Sequence, residues 1–205
     1  MRTGLSVFTA VVLWLPFLGS CAVSPAVSKN APAGLKIHTR LDWGARPPVA
    51  EMKRHTPTRI TIHHTATPQK PERPLADKLL ALQKFSQNAG TLGNGKPKLA
   101  WPDVPYHYYI AADGGVAEGR EVDFVGDTNT AYDPTGHALV VLEGNFENEQ
   151  PTEAQLASLR KMIAWLAARF HVPAEKIGGH KDFASTLCPG KNLQTLLPDL
   201  REAAR

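Results

Sequence analysis

Three side chains of this 205-residue chain have the chemistry of divalent-metal ligands. His63 stands in Arg59-Ile60-Thr61-Ile62-His63-His64-Thr65, and His180 and Cys188 stand in the run from Gly179 to Gly190. Two neutral imidazoles and one thiolate make a three-ligand set. Such a set leaves the fourth tetrahedral corner open to water, the mark of a catalytic zinc site and not of a closed structural one. Cys188 follows His180 by eight residues, too far for two ligands on one helix face. The spacing suits a loop that turns back on itself, with Pro189-Gly190 shaping the turn. Taken singly, a surface histidine and a buried cysteine are the ordinary reading of these two residues; the zinc reading rests on all three together. His64 competes with His63. Neighbours on a strand point to opposite faces, so only one of them ligates, and the residues alone leave the choice open.

Two further groups can serve such a site. The phenol of Tyr106 can reach a metal-activated water or a substrate carbonyl, although a tyrosine in a strand is more often packing. Thr186 precedes Cys188 by two residues, and its hydroxyl can face the site or simply hold a turn.

The chain has two cysteines, Cys21 and Cys188. Leu5 to Leu18 is almost wholly apolar, with Arg2 before it and Gly19-Ser20 after it. That is the pattern of a secretory signal; a spanning helix needs about 20 apolar residues, and Pro16 interrupts this run. Leu18-Gly19-Ser20-Cys21 resembles a bacterial lipobox, which makes Cys21 the expected site of lipid attachment. Ala22, in place of an aspartate, points to an outer-membrane lipoprotein facing the periplasm; the protein is secreted or periplasmic if the lipobox is not used. The plain alternative is a disulfide between the two cysteines. An acylated Cys21 removes that option, and metal ligation then accounts for a lone thiol in an oxidising compartment.

Hydrophobic residues make up 42% of the chain and charged residues 20%, which suits one globular domain with a real core. The formal net charge is +4, without the basic cluster or aromatic-rich stripe of a nucleic-acid binder. Residues 1–20 read as the signal, 21–36 as a tether rich in Ala, Ser and Pro, and 37–205 as the domain.

The elements that must carry the ligands follow from periodicity. Residues 59–64 alternate and are β-branched, predicting a strand with the first ligand near its end. Residues 75–88 have helical spacing, and the glycines after them mark a long loop. Residues 106–112 predict a second strand starting at Tyr106, with Asp113-Gly114 turning it into a hairpin through 116–120. The apolar run 138–143 predicts a buried strand. Thr152 to Gln155 is a capping box opening the most amphipathic helix of the chain, which Pro173 is expected to end. His180 and Cys188 then fall on a loop after that helix. A final helix over 193–204 is expected to be weakened or split by Pro198. The whole predicts an α/β single domain, a central mixed sheet flanked by helices, with the zinc site at one edge of the sheet.

Four segments carry a family likeness. They are Arg40-Leu41-Asp42-Trp43-Gly44-Ala45; Ile62-His63-His64-Thr65-Ala66; Tyr106-His107-Tyr108-Tyr109-Ile110 through Glu118-Gly119-Arg120; and Gly179-His180 through Cys188-Pro189-Gly190. Gly144-Asn145-Phe146 is a weaker fifth. Together they resemble the zinc-dependent N-acetylmuramoyl-L-alanine amidases of the type-2 class, which include the peptidoglycan recognition proteins and phage amidase lysozymes. The resemblance implies that His63, His180 and Cys188 bind Zn2+, that Tyr106 assists catalysis, and that Thr186 completes the site. It implies hydrolysis of the amide between the lactyl group of N-acetylmuramic acid and L-alanine, with peptidoglycan as partner. Separately, membrane contact is expected only through the lipid on Cys21, and the chain is expected to be a monomer. Residues 137–140 and the long loop 90–104 depart from the family pattern. A peptidoglycan-binding module without catalysis, and a zinc peptidase acting on stem peptides, are the rival readings.

Overall fold

The structure, a computed structural model, describes residues 31–93 and 95–205. The expected signal over residues 1–20, the expected lipid site Cys21 and most of the expected tether lie outside the described residues.

The elements run in chain order as β1 (Ile37–His38), β2 (Arg59–His64), α1 (Leu75–Gln87), β3 (Gly90–Thr91), β4 (Pro97–Lys98), β5 (Tyr108–Ile110), β6 (Val116–Glu118), β7 (His137–Leu142), α2 (Glu153–Phe170), β8 (Ile177–Gly179), α3 (Lys191–Gln194) and α4 (Leu197–Arg201). Six strands form one sheet in the order β1-β6-β5-β7-β2-β8. Within this sheet, among the described residues, only β5 and β6 pair antiparallel, as the Asp113-Gly114 turn requires. The other neighbours are parallel, so the sheet is mixed and mostly parallel. β3 and β4 make a separate two-stranded ribbon inside the long glycine-rich loop, where the glycines carry no strand signal.

A mostly parallel sheet needs cover on both faces. Ala138, Leu139, Val140, Val141 and Leu142 of β7 are all fully buried, as a central strand between two layers must be. On one face α2 packs Leu159, Met162, Ile163 and Leu166 against Ile60, Ile62, Val140 and Leu142. On the other, Leu79 of α1 packs with Trp43, Tyr109 and Val141. Leu35 and Ala31 already lie against the α2-side core, ahead of β1.

α2 opens with the expected capping box: Thr152 Oγ1 accepts from Gln155 N at 3.0 Å, and Gln155 Oε1 accepts from Thr152 N at 3.0 Å. Its end differs from expectation. His171, in the left-handed conformation at φ 53°, closes the helix before Pro173 is reached, its N–H donating to the Ala167 carbonyl. The C-terminal segment is split, as Pro198 foretold; the proline sits in the first turn of α4, where its missing N–H costs nothing.

Two differences bear on the site. Tyr106 precedes β5 instead of starting it. A short strand, β8, stands between α2 and His180, and it was hidden because Ile-Gly-Gly carries no strand signal. β8 lies along β2 with Ile62 opposite Gly179, so the chain delivers His180 beside His63 at this edge of the sheet.

Candidate metal centre

The register of β2 decides between the paired histidines. His63 points to the α1 side of the sheet and meets His180, their ring centroids 4.6 Å apart. His64 points to the other side, where its Nδ1 accepts a hydrogen bond from Phe146 N at 3.2 Å. The ambiguity of the sequence thus resolves to His63 by strand alternation.

Cys188 arrives from the loop after β8. Its carbonyl accepts from Lys181 N at 2.8 Å, which closes the eight-residue excursion against its own start. Its Sγ lies 3.6 Å from His63 Nδ1 and accepts the backbone N–H of His64 at 3.4 Å. Ligand atoms of His63, His180 and Cys188 all lie within 4.8 Å of one another. Thr186 sits in the same loop, and its Oγ1 accepts from Cys188 N at 3.2 Å, so the hydroxyl shapes the approach of the thiol.

The donor set fits zinc on chemical grounds. Neither nitrogen of the buried His63 ring is satisfied by a protein oxygen: Nδ1 faces sulfur and Nε2 has no partner. Burial, then the neighbouring His180, holds the His63 imidazolium form well out of reach at neutral pH. Burial likewise lowers His180 to about 4. The Cys188 thiol is pushed up to about 12 by burial, against which the His64 N–H bond works. The pocket thus gathers two neutral imidazoles and a neutral thiol, with the buried His63 Nε2 left without a partner. A divalent ion of borderline softness would take a lone pair from each of the three and offset the burial penalty on the thiolate.

Tyr106 stands beside the ligands, its ring centroid 5.1 Å from that of His63. Burial first, then Cys188 and Tyr132, raises its pKa above the ordinary tyrosine range, so the group stays a phenol and a hydrogen-bond donor. Its position is set by Arg120 of the Glu118-Gly119-Arg120 segment. That guanidinium is buried, binds the carbonyls of Val104, Val125 and Asp103, and pairs with Asp127, while Arg120 N donates to the Tyr106 carbonyl at 2.8 Å. The arginine therefore holds the tyrosine loop. His107, next in sequence, is fully used: Nδ1 accepts from Leu139 N at 2.8 Å and Nε2 donates to the Phe124 carbonyl at 2.9 Å.

The three ligands and Tyr106 line a groove of about 710 Å³. Phe85, Leu92, Trp101 and Leu187 make its apolar walls, and Thr128 to Thr130 its polar side. The 126–132 turn was not legible as part of the site. Thr130 Oγ1 lies 2.7 Å from His180 Nε2, and the Tyr132 ring packs 5.1 Å from the His180 ring. Small polar residues in a loop carry no signal of which ring they will meet. Among the described residues, no helix is long and apolar enough to cross a membrane.

Comparison with known proteins agrees with this geometry. The chain is 30% identical over 172 residues to the mouse N-acetylmuramoyl-L-alanine amidase, an alignment covering 78% of this chain and 30% of that protein. It thus spans under a third of the mouse protein's length. The crystal structure of the Drosophila peptidoglycan recognition protein SD superposes with a TM-score of 0.68 at 25% identity, covering 80% of this chain and 93% of that one. Drosophila PGRP-LB gives a TM-score of 0.62 at 27% identity over 77% and 89% of the two chains. A variant of PGRP-LB has been solved in complex with tracheal cytotoxin. The family model described as N-acetylmuramoyl-L-alanine amidase matches residues 53–191, a span that holds all three candidate ligands, Tyr106 and Thr186, and the chain belongs to that family.

Proposed function

We propose that this protein is a zinc-dependent peptidoglycan amidase that hydrolyses the bond between the lactyl group of N-acetylmuramic acid and the L-alanine of the stem peptide. The observation that carries this reading is the convergence of His63, His180 and Cys188 within 4.8 Å on the wall of an open groove, in a chain of the amidase family. Those three residues would hold the ion. Zinc in such a set supplies Lewis-acid polarisation of the scissile carbonyl and lowers the pKa of water toward about 7.

The protein's own groups do the rest. Tyr106, kept protonated by burial, donates to the oxyanion that develops on the scissile carbonyl. Thr186 fixes the loop that presents Cys188. Phe85, Leu92 and Trp101 offer apolar surface to the substrate and thin the water around the reacting bond. No side chain need become covalently attached to the substrate.

The test is direct. Incubate the full chain with zinc and purified peptidoglycan, and analyse the products by mass spectrometry. Stem peptides beginning with L-alanine, together with free lactyl carboxylates, are the expected products. Cleavage within the stem would instead identify a peptidase. His63→Ala is expected to lower turnover by orders of magnitude while leaving the protein able to sediment with cell wall. Sedimentation by the unaltered chain without any release would make it a binding module and end the enzymatic reading.

A further inference from the structure

We infer that Thr130 is a positioning residue that holds His180 through Nε2 and supports its metal-binding tautomer; the inference rests on the metal reading of the site. His63 and His180 are held by different means. His63 is fixed by its strand: it lies within β2, opposite Val141 of β7. His180 has no such frame. It opens a single 3-10 turn, His180–Asp182, at the mouth of an excursion that ends at Cys188. Its ring needs a side-chain partner to hold it, and Thr130 supplies one across 50 residues of sequence, Oγ1 to Nε2 at 2.7 Å.

The hydroxyl is not alone. Thr130 Oγ1 is 2.7 Å from Thr128 Oγ1, and Thr128 Oγ1 also accepts the backbone N–H of Thr130 at 3.1 Å. A neutral imidazole has one donor and one acceptor nitrogen, so the partner at Nε2 determines which nitrogen is free for a cation. If Thr130 donated to Nε2, the ring proton would sit on Nδ1 and that nitrogen could not ligate. If Nε2–H donates to Thr130, the Thr130 proton passes on to Thr128, and Nδ1 keeps its lone pair. The two hydroxyls are satisfied in either direction, but only the second leaves Nδ1 open to a cation, with Thr128 Oγ1 accepting from both the N–H and the hydroxyl of Thr130. Partners of this kind on the far nitrogen of a ligating histidine fix ring orientation and basicity, and losing them typically costs about 10- to 100-fold in metal affinity.

The experiment titrates the metal-free full chain with cobalt(II), followed by thiolate-to-metal absorption, and then competes zinc against it. Thr130→Val, which keeps the shape and removes the acceptor, is expected to weaken binding of both metals about 10- to 100-fold. Thr130→Ser, which keeps the hydroxyl, is expected to bind close to wild type. Thr128→Ala leaves Thr130 in place but removes the acceptor of its proton; it should weaken binding in the same direction, and it decides the matter should Thr130→Val fail to fold. Thermal melts of the metal-free proteins separate this effect from a loss of structure, which would not be rescued by serine. Wild-type affinity in both Thr130→Val and Thr128→Ala overturns the assignment. A wild-type chain that takes up neither metal overturns it together with the metal reading. Metal binding that follows the expected order without any amide cleavage leaves the assignment standing and removes only the amidase reading.

Discussion

Tyr106 shows how an individual residue acquires its chemistry from its surroundings. In water a tyrosine is a weak acid; here burial beside the Cys188 sulfur keeps the proton on through the whole physiological range. A group in that state can donate to a developing oxyanion but cannot act as a base. Tyr106→Phe is therefore expected to lower kcat by about 10²- to 10³-fold, the usual cost of one oxyanion donor, with metal content unchanged. Paired measurement of kcat and of bound zinc checks this. A variant that loses its metal instead would show that the phenol matters to the ligand cluster and not to the reaction.

At the scale of elements, Glu143 at the end of β7 joins both layers. Its carboxylate pairs with Lys78 of α1 at 2.8 Å, both side chains nearly fully buried. The same carboxylate accepts from Lys70 N at 3.0 Å and Ala112 N at 2.9 Å, and its carbonyl accepts from Gln155 Nε2 of α2 at 2.7 Å. α1, the loop after β2, the end of β5 and the start of α2 all meet on one residue. Removing the cation alone leaves a buried charge with only dipoles around it, at a cost of about 3–5 kcal/mol. Loss of the α2 cap costs about 1 kcal/mol. Lys78→Met should accordingly lower Tm several-fold more than Thr152→Ala, for which a fall of about 2–4 °C is expected. Calorimetry on the two variants ranks them, and equal shifts would mean that the pair contributes little beyond packing.

At the scale of the whole molecule, the interior holds a set of histidines kept neutral. Burial lowers His107 to about 3, and lowers His64 and His137 to about 4. In the unfolded chain each titrates near 6.5. The folded pKa values are depressed, so the unfolded state binds more protons between about 6.5 and about 3. Stability is then complete above pH 6.5 and falls as pH drops through that window. The summed effect is on the order of several kcal/mol. Melting the metal-free protein from pH 7 to pH 4 should show a steady decline in Tm, beyond that of the carboxylates alone. A flat profile down to pH 4 would show that these rings are solvated in the folded state.

Much of this protein was readable in one dimension, for reasons that differ between its parts. The three candidate ligands stand out as a set because few residue types bind metal, whereas the family likeness singles out Tyr106. β2, α1, β7 and α2 announce themselves because burial on one or two faces imposes a period of hydrophobicity. Other features depended on which segments the sheet brings together. His63 was separated from His64 only by the direction of β2 and the arrival of β8 alongside it. β8 itself was invisible, since Gly178 and Gly179 form a strand by pairing with β2 and not by propensity. In the sequence Arg120 is only the last residue of the Glu118-Gly119-Arg120 segment, and its role as a buried brace for Tyr106 became visible only in the folded chain. Thr130, Tyr132 and the Lys78–Glu143 pair have no local signature at all, because a hydrogen bond or ion pair between residues dozens of positions apart exists only once the chain has closed the loop between them.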